Sequence, residues 1–225
     1  VSVESTAQIT IKTEYFGTSA YRDEHNQKVG SSKGSAMVYH GSANLPLSMK
    51  KNESNQPTIW GIGLSGDYAS LNNKNIAEPL VLSEILNLQM LLFHVRPLSE
   101  KWSMMASVGV GVYTGDTRFS HLRFRNVLGS AGLVFVRRIL PNLELGAGLA
   151  LNNAFGYPMA FPALYVNWNY GHKMTCSFSA LEGANLAVGY NVNKTFSISF
   201  ITEMGGQMAL TELNGDDKIF THQYI

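Results

Sequence analysis

Alternation with a period of two runs through most of the chain and constrains its fold more than any other feature. From Trp102 the even positions read Trp102, Met104, Ala106, Val108, Val110 and Val112, while the odd positions read Ser103, Met105, Ser107, Gly109, Gly111 and Tyr113. Leu143, Leu145, Ala147, Leu149 and Leu151 alternate with Glu144, Gly146, Gly148 and Ala150. The pattern recurs from Ile9 to Tyr15, Met174 to Phe178, Leu186 to Tyr190 and Phe196 to Phe200, where Ile201 is the one exception. Successive side chains of a strand point to opposite faces, so each segment reads as a strand with one large apolar face and one small or polar face. Helical periodicity fits none of them.

Strands are expected near 5–16, 34–48, 57–69, 84–96, 102–114, 128–139, 143–152, 159–170, 173–180, 184–191, 195–205 and 218–225. Tight connectors such as Leu140-Pro141-Asn142 and Gly171-His172-Lys173 trade places with longer polar links at 17–33, 70–83, 115–127, 153–158 and 206–217. Short turns at one end and longer loops at the other describe an outer-membrane barrel; the tight Leu181-Glu182-Gly183 link breaks the rule. No linker divides residues 1–225, so the expectation is one domain: an all-β, antiparallel, transmembrane up-and-down β-barrel of about 12–14 strands.

A soluble β-sandwich binding module alternates too, and composition separates the two. A sandwich keeps a wet, charged outer face, whereas only 15% of this chain is Asp, Glu, Lys or Arg, against about 25% in soluble domains. The apolar faces above carry no charge, as lipid requires, since a charge at the bilayer midplane costs about 2–4 kcal/mol. Tyr15, Trp60, Tyr68, Trp102, Tyr113, Trp168, Tyr170 and Tyr190 fall near strand ends, where an interfacial girdle would sit. A net charge of +1 without a basic stripe argues against nucleic acid. Cys176 is the sole cysteine, which excludes a disulfide scaffold. The start of the chain has no signal-peptide pattern, which fits a processed chain in the Gram-negative outer membrane. No stretch of about 20 apolar residues offers a spanning helix.

Trp102-Ser103-Met104-Met105-Ala106-Ser107-Val108-Gly109, Pro141-Asn142-Leu143-Glu144-Leu145-Gly146-Ala147-Gly148-Leu149, Phe155-Gly156-Tyr157-Pro158, Phe161-Pro162-Ala163-Leu164 and Asn44-Leu45-Pro46-Leu47 carry a resemblance. Through residues of about 40 to 210, the chain resembles an uncharacterised family of Gram-negative outer-membrane β-barrel proteins, defined only as a domain of unknown function. The resemblance implies a barrel and a membrane, with no catalytic residues and no substrate.

One arrangement invites an enzymatic reading. His40 and Ser42 stand two apart on a strand, similar to the pair in outer-membrane phospholipases and lipid A deacylases, and could share a proton. Here the alternation turns the pair toward the lumen, and no acid nearby in sequence orients the imidazole. Polar lining of a barrel interior is the simpler account. His25, His40, His94, His121, His172 and His222 show no metal-ligand spacing, so neither metal nor cofactor is expected. Gly109-Val110-Gly111 and Gly146-Ala147-Gly148 lead into no helix and are not phosphate loops.

Lys12, Glu14, Asn87, Gln89, Glu144, Asn167, Asn169 and Glu203 are expected to line the lumen, either pairing across it or bordering a narrow channel. Arg118, Arg123 and Arg125, with His121, form a basic stretch that could bind lipopolysaccharide phosphates or simply be solvated. The expected function is a non-enzymatic outer-membrane protein, porin-like or an accessory subunit of a larger complex, with a lipid hydrolase using His40 and Ser42 as the alternative. Its partners would be membrane lipid, lipopolysaccharide and other outer-membrane proteins. The last strand, from about residue 218, is too short for the roughly 9–11 residues needed to cross. The natural protein is therefore expected to continue past Ile225, leaving the strand near Thr6 to Tyr15 without a full-length neighbour on one side.

Overall fold

The computed structural model describes residues 7–22, 25–76, 82–118, 121–152, 159–171, 173–180, 184–193, 196–213 and 215–224. Phe155-Gly156-Tyr157-Pro158, Leu181-Glu182-Gly183 and His172 lie outside them. Twelve strands follow in chain order: β1 (Gln8–Arg22), β2 (Lys28–Lys51), β3 (Pro57–Lys74), β4 (Glu84–Pro97), β5 (Trp102–Thr114), β6 (Val127–Leu140), β7 (Leu143–Asn152), β8 (Met159–Tyr170), β9 (Met174–Ala180), β10 (Ala184–Asn191), β11 (Ser197–Leu213) and β12 (Asp216–Tyr224). They form one antiparallel meander in which each strand pairs with the next. No helix among the described residues is long and apolar enough to cross a membrane.

The strands run further than alternation alone indicates. Residues 17–33 and 206–217 were expected to be polar loops, yet β1 continues to Arg22, β2 begins at Lys28, and β11 and β12 pair from Gly205↔Tyr224 to Leu213↔Asp216. Polar side chains end a buried face but not a ladder. The backbone goes on pairing through Ser, Thr and Tyr, residues compatible with strands, and the register shifts between Phe16 and Ser19 absorb the irregularity.

The sheet is not closed into a barrel. This corrects the closed barrel expected from the sequence: among the described residues β1 pairs only with β2, and no ladder joins β12 to it. The physical reason lies in β11. Its first half, Ser197–Met204, pairs with β10, while its second half, Gly205–Leu213, pairs with β12. Between the halves stands Gly205-Gly206, the residue type best able to bend a strand. The second half packs against the inner face of the sheet: Ala209 is fully buried with Val38 of β2, Ala69 of β3 and Ile85 of β4, and Phe16, Leu71 and Leu82 pack around them. A second apolar cluster on the same face joins Val134 and Val136 of β6, Ala150 of β7 and Ala163 of β8, with Met105 and Tyr165 against it.

Candidate functional site

Register converts the alternation of single strands into two continuous faces. Met90 of β4 stands opposite Leu64 of β3 and Val110 of β5, and the row continues through Gly129 of β6. The next row joins Ile62, Leu92, Val108, Ala131, Leu151 and Ala160. On β8 to β11, Val166, Phe178, Leu186 and Thr202 align in turn. The central rows of this outer face carry no Asp, Glu, Lys or Arg. Its large side chains stand open: Ile11 is 84% exposed, Leu149 65% and Phe200 65%. A contiguous exposed apolar surface of this kind exceeds the scattered apolar residues of an ordinary protein surface and marks an interaction surface.

Aromatic side chains bound that face at both ends. Toward the long-loop end Tyr39 stacks on Tyr68 with centroids 6.2 Å apart, and Tyr15 is exposed one row beyond. At the short-turn end Trp60 stacks on His94 at 4.1 Å, Trp168 lies 5.7 Å from Tyr170, and the Arg137 guanidinium sits 5.5 Å over the Trp102 ring. Tyr190 is half-exposed at the same end. Each ring presents an apolar body with a polar partner at its margin. Tyr39 and His94 belong to these rows and were not singled out by the sequence. Tyr113, expected among them, is a correction: it lies on the small-residue face, 7% exposed, with its hydroxyl end over Gly111. The absent side chain at Gly111 leaves the room that the ring fills.

The inner face near β1 to β4 is polar. Lys12, His40, Asp67 and Asn87 stand opposite one another across four strands. Lys12 pairs with Glu14 at 3.1 Å along β1, and His40 Nδ1 is bound to Asp67 Oδ1. The acid missing from the local sequence thus comes from the neighbouring strand, 27 residues away. Ser42 shares this face, opposite Ser65, but no hydrogen bond joins it to His40 among the described contacts. Farther round, Arg138 Nε lies 3.5 Å from Glu144, and Asn169 reaches Asn167 at 3.5 Å. These three ion pairs lie along one strand or between neighbouring strands.

Asn87 requires another correction. It does not line an open space: it is 3% exposed, and its side-chain amide donates to the Met208 carbonyl at 2.6 Å and accepts from the Met208 N–H at 3.1 Å. One side chain thereby replaces a rung of ladder between β4 and β11. Gln89, next along β4, is half-buried. Glu203 stands opposite Asn185 in the β10–β11 ladder, its side chain outside the described residues.

The arginines expected to meet lipopolysaccharide are engaged within the chain. Arg125 binds Glu212 at 2.5 Å and Asp217 at 2.9 Å, and Arg123 approaches Glu212 at 3.6 Å, so both hold the β11–β12 hairpin. Arg118 chelates Asp116, its Nη2 at 2.8 Å, with His121 Nδ1 on the same carboxylate at 2.7 Å. The bonds from the Arg118 side chain and backbone hold the Asp116 carboxyl well below the usual carboxylate range. Beside this clasp a short 3-10 turn, Phe124–Asn126, buries Asn126, whose side chain donates to the Leu210 carbonyl at 2.7 Å. No group of three or more His, Cys, Asp or Glu suited to a metal occurs among the described residues.

The profile of the family described as Domain of unknown function (DUF6268) matches residues 3–225. No curated protein and no solved structure matches the chain.

Proposed function

The chain belongs to that family of unknown function, DUF6268, and we propose that it is a non-enzymatic protein of the Gram-negative outer membrane, a barrel-type sheet whose outer face lies in lipid. The observation that carries this reading is the outer face itself: uncharged across its central rows, exposed, and bounded at both ends by aromatic rings. Over the eight residue steps from Trp60 to Tyr68 a strand rises roughly 26 Å, close to the apolar band of about 25 Å found on outer-membrane barrels. The inner face carries apolar clusters and the β11–β12 hairpin, which favours a structural or accessory role over an open porin. Lipopolysaccharide and neighbouring membrane proteins are the partners this location offers.

Flotation with lipid vesicles tests the reading. The protein should rise with the vesicles and resist extraction by alkaline carbonate, leaving only in detergent. Recovery as a soluble monomer without detergent would refute it. A second reading, an ester hydrolase, is favoured by Asp67 on His40 Nδ1, the orientation a general base requires. It predicts ester cleavage that disappears in Ser42→Ala.

A further inference from the structure

The covering hairpin is attached to the sheet in two different ways. Through Ser197–Met204 it is part of a regular ladder with β10. Beyond Gly205-Gly206 the described contacts with the inner face change in kind. On the side facing the sheet, Met208 and Leu210 are bonded by the side chains of Asn87 and Asn126, while β12 pairs along the hairpin itself. Apolar contact there centres on Ala209 against Ala69, Val38 and Ile85, a shallow seat because two of the four are alanines. At the rim, Arg125 ties both sides of the hairpin, Glu212 of β11 and Asp217 of β12. These rim pairs are partly exposed, and exposed ion pairs hold weakly. On the same inner face lies the row of Lys12, Glu14, His40 and Asp67, whose side chains are 14–42% exposed.

We propose that the β11–β12 hairpin is a releasable cover, hinged at Gly205-Gly206 and latched by Arg125, whose displacement opens a path for small polar solutes along the Lys12–His40–Asp67 row. The path deepens the membrane reading above and rests on it; release of the cover does not. Two features separate this cover from ordinary core. Its backbone is held by amide side chains that can exchange to water without breaking the meander. Its latch also joins the 3-10 turn after β5 to the hairpin, so the two move apart as units.

The test uses the whole chain with Cys176→Ala and a single new cysteine at Ala209, which is fully buried. Maleimide labelling in mild detergent should be slow, and at least tenfold faster when Arg125→Ala is added, with Arg125→Lys intermediate. A cysteine at Val134, fully buried in the other cluster, should label slowly in either background. In planar bilayers the parent protein should be silent and Arg125→Ala should conduct. Unchanged labelling at 209, or a parallel rise at 134, overturns the cover as a separate unit. Faster labelling at 209 with silent bilayers overturns the solute path while leaving membrane residence intact. Protein that fails to float with vesicles overturns the membrane reading and the path with it, and flotation tells that failure from the others.

Discussion

One hydrogen atom decides how closely β6 and β7 can approach at Gly148. A Cβ there would run into the Leu133 carbonyl oxygen and lie 2.7 Å from the Val134 Cα. These are backbone atoms that cannot swing aside. Gly148→Ala should therefore destabilise by about 1–3 kcal/mol, as overpacking does, measured by urea unfolding in detergent. Gly41 offers the contrast, since a methyl group added there would meet nothing within 4 Å; Gly41→Ala should stay within about 0.5 kcal/mol of the parent. A second residue-scale expectation concerns Asp116. Its folded carboxyl is held low, first by the Arg118 side chain and then by the Arg118 backbone. The clasp is thus fully present above the ordinary aspartate value near 3.9 and is lost only as pH falls through the depressed folded value. In a carboxyl NMR titration Asp116 should remain ionised at about pH 3, where free aspartate is mostly protonated, and Arg118→Ala should return it to the ordinary range.

At the scale of elements, each strand sorts its residues between two environments, and a charge should report which face it meets. Met90→Arg places a cation on the outer face, where the cost near a bilayer midplane is about 2–4 kcal/mol. Gln89→Arg, one residue away and turned inward, should insert far better. The fraction protected from protease after addition of vesicles measures the difference. The hairpin offers a second test: Asn87→Ala removes both bonds to Met208 and should cost about 1–3 kcal/mol, seen as faster amide exchange at Met208. What the sequence made legible divides along the same line. Alternation placed β5, β7, β8 and β10 at their observed bounds, because a strand between unlike faces must alternate. The stretch Gly206-Gln207-Met208-Ala209 reads as a polar link, yet Gln207, Met208 and Ala209 are all buried. A strand lying on the inner face of its own sheet is covered from more than one direction and loses the period that reveals a strand. The His40–Asp67 pair was hidden for a different reason: it exists only once β2 and β3 are in register.

For the whole molecule, the tryptophans give a depth gauge. Trp60, Trp102 and Trp168 all lie toward the short-turn end, against His94, Arg137 and Tyr170. In vesicles, lipids brominated near the headgroup should quench their fluorescence more strongly than lipids brominated at the acyl-chain ends. The reverse order would place the apolar band at another depth and contradict the girdle assignment.

The divided ladder of β11 also fixes a rule of parity. In a meander every odd-numbered strand runs the same way, so β1 and the Ser197–Met204 half of β11 are parallel. Among the described residues each is bonded to a strand on one side only, since β12 pairs with Gly205–Leu213 instead. Joining them directly would make the one parallel contact in an otherwise antiparallel ring. An antiparallel closure calls for an odd number of intervening strands, and a single one suffices if it runs opposite to both. Its side chains would have to continue the rows on either side, apolar beside Ile9, Ile11, Ile198 and Phe200, and small or polar beside Thr10 and Lys12. Each of these two edges is therefore a template with a defined direction and a defined two-residue repeat.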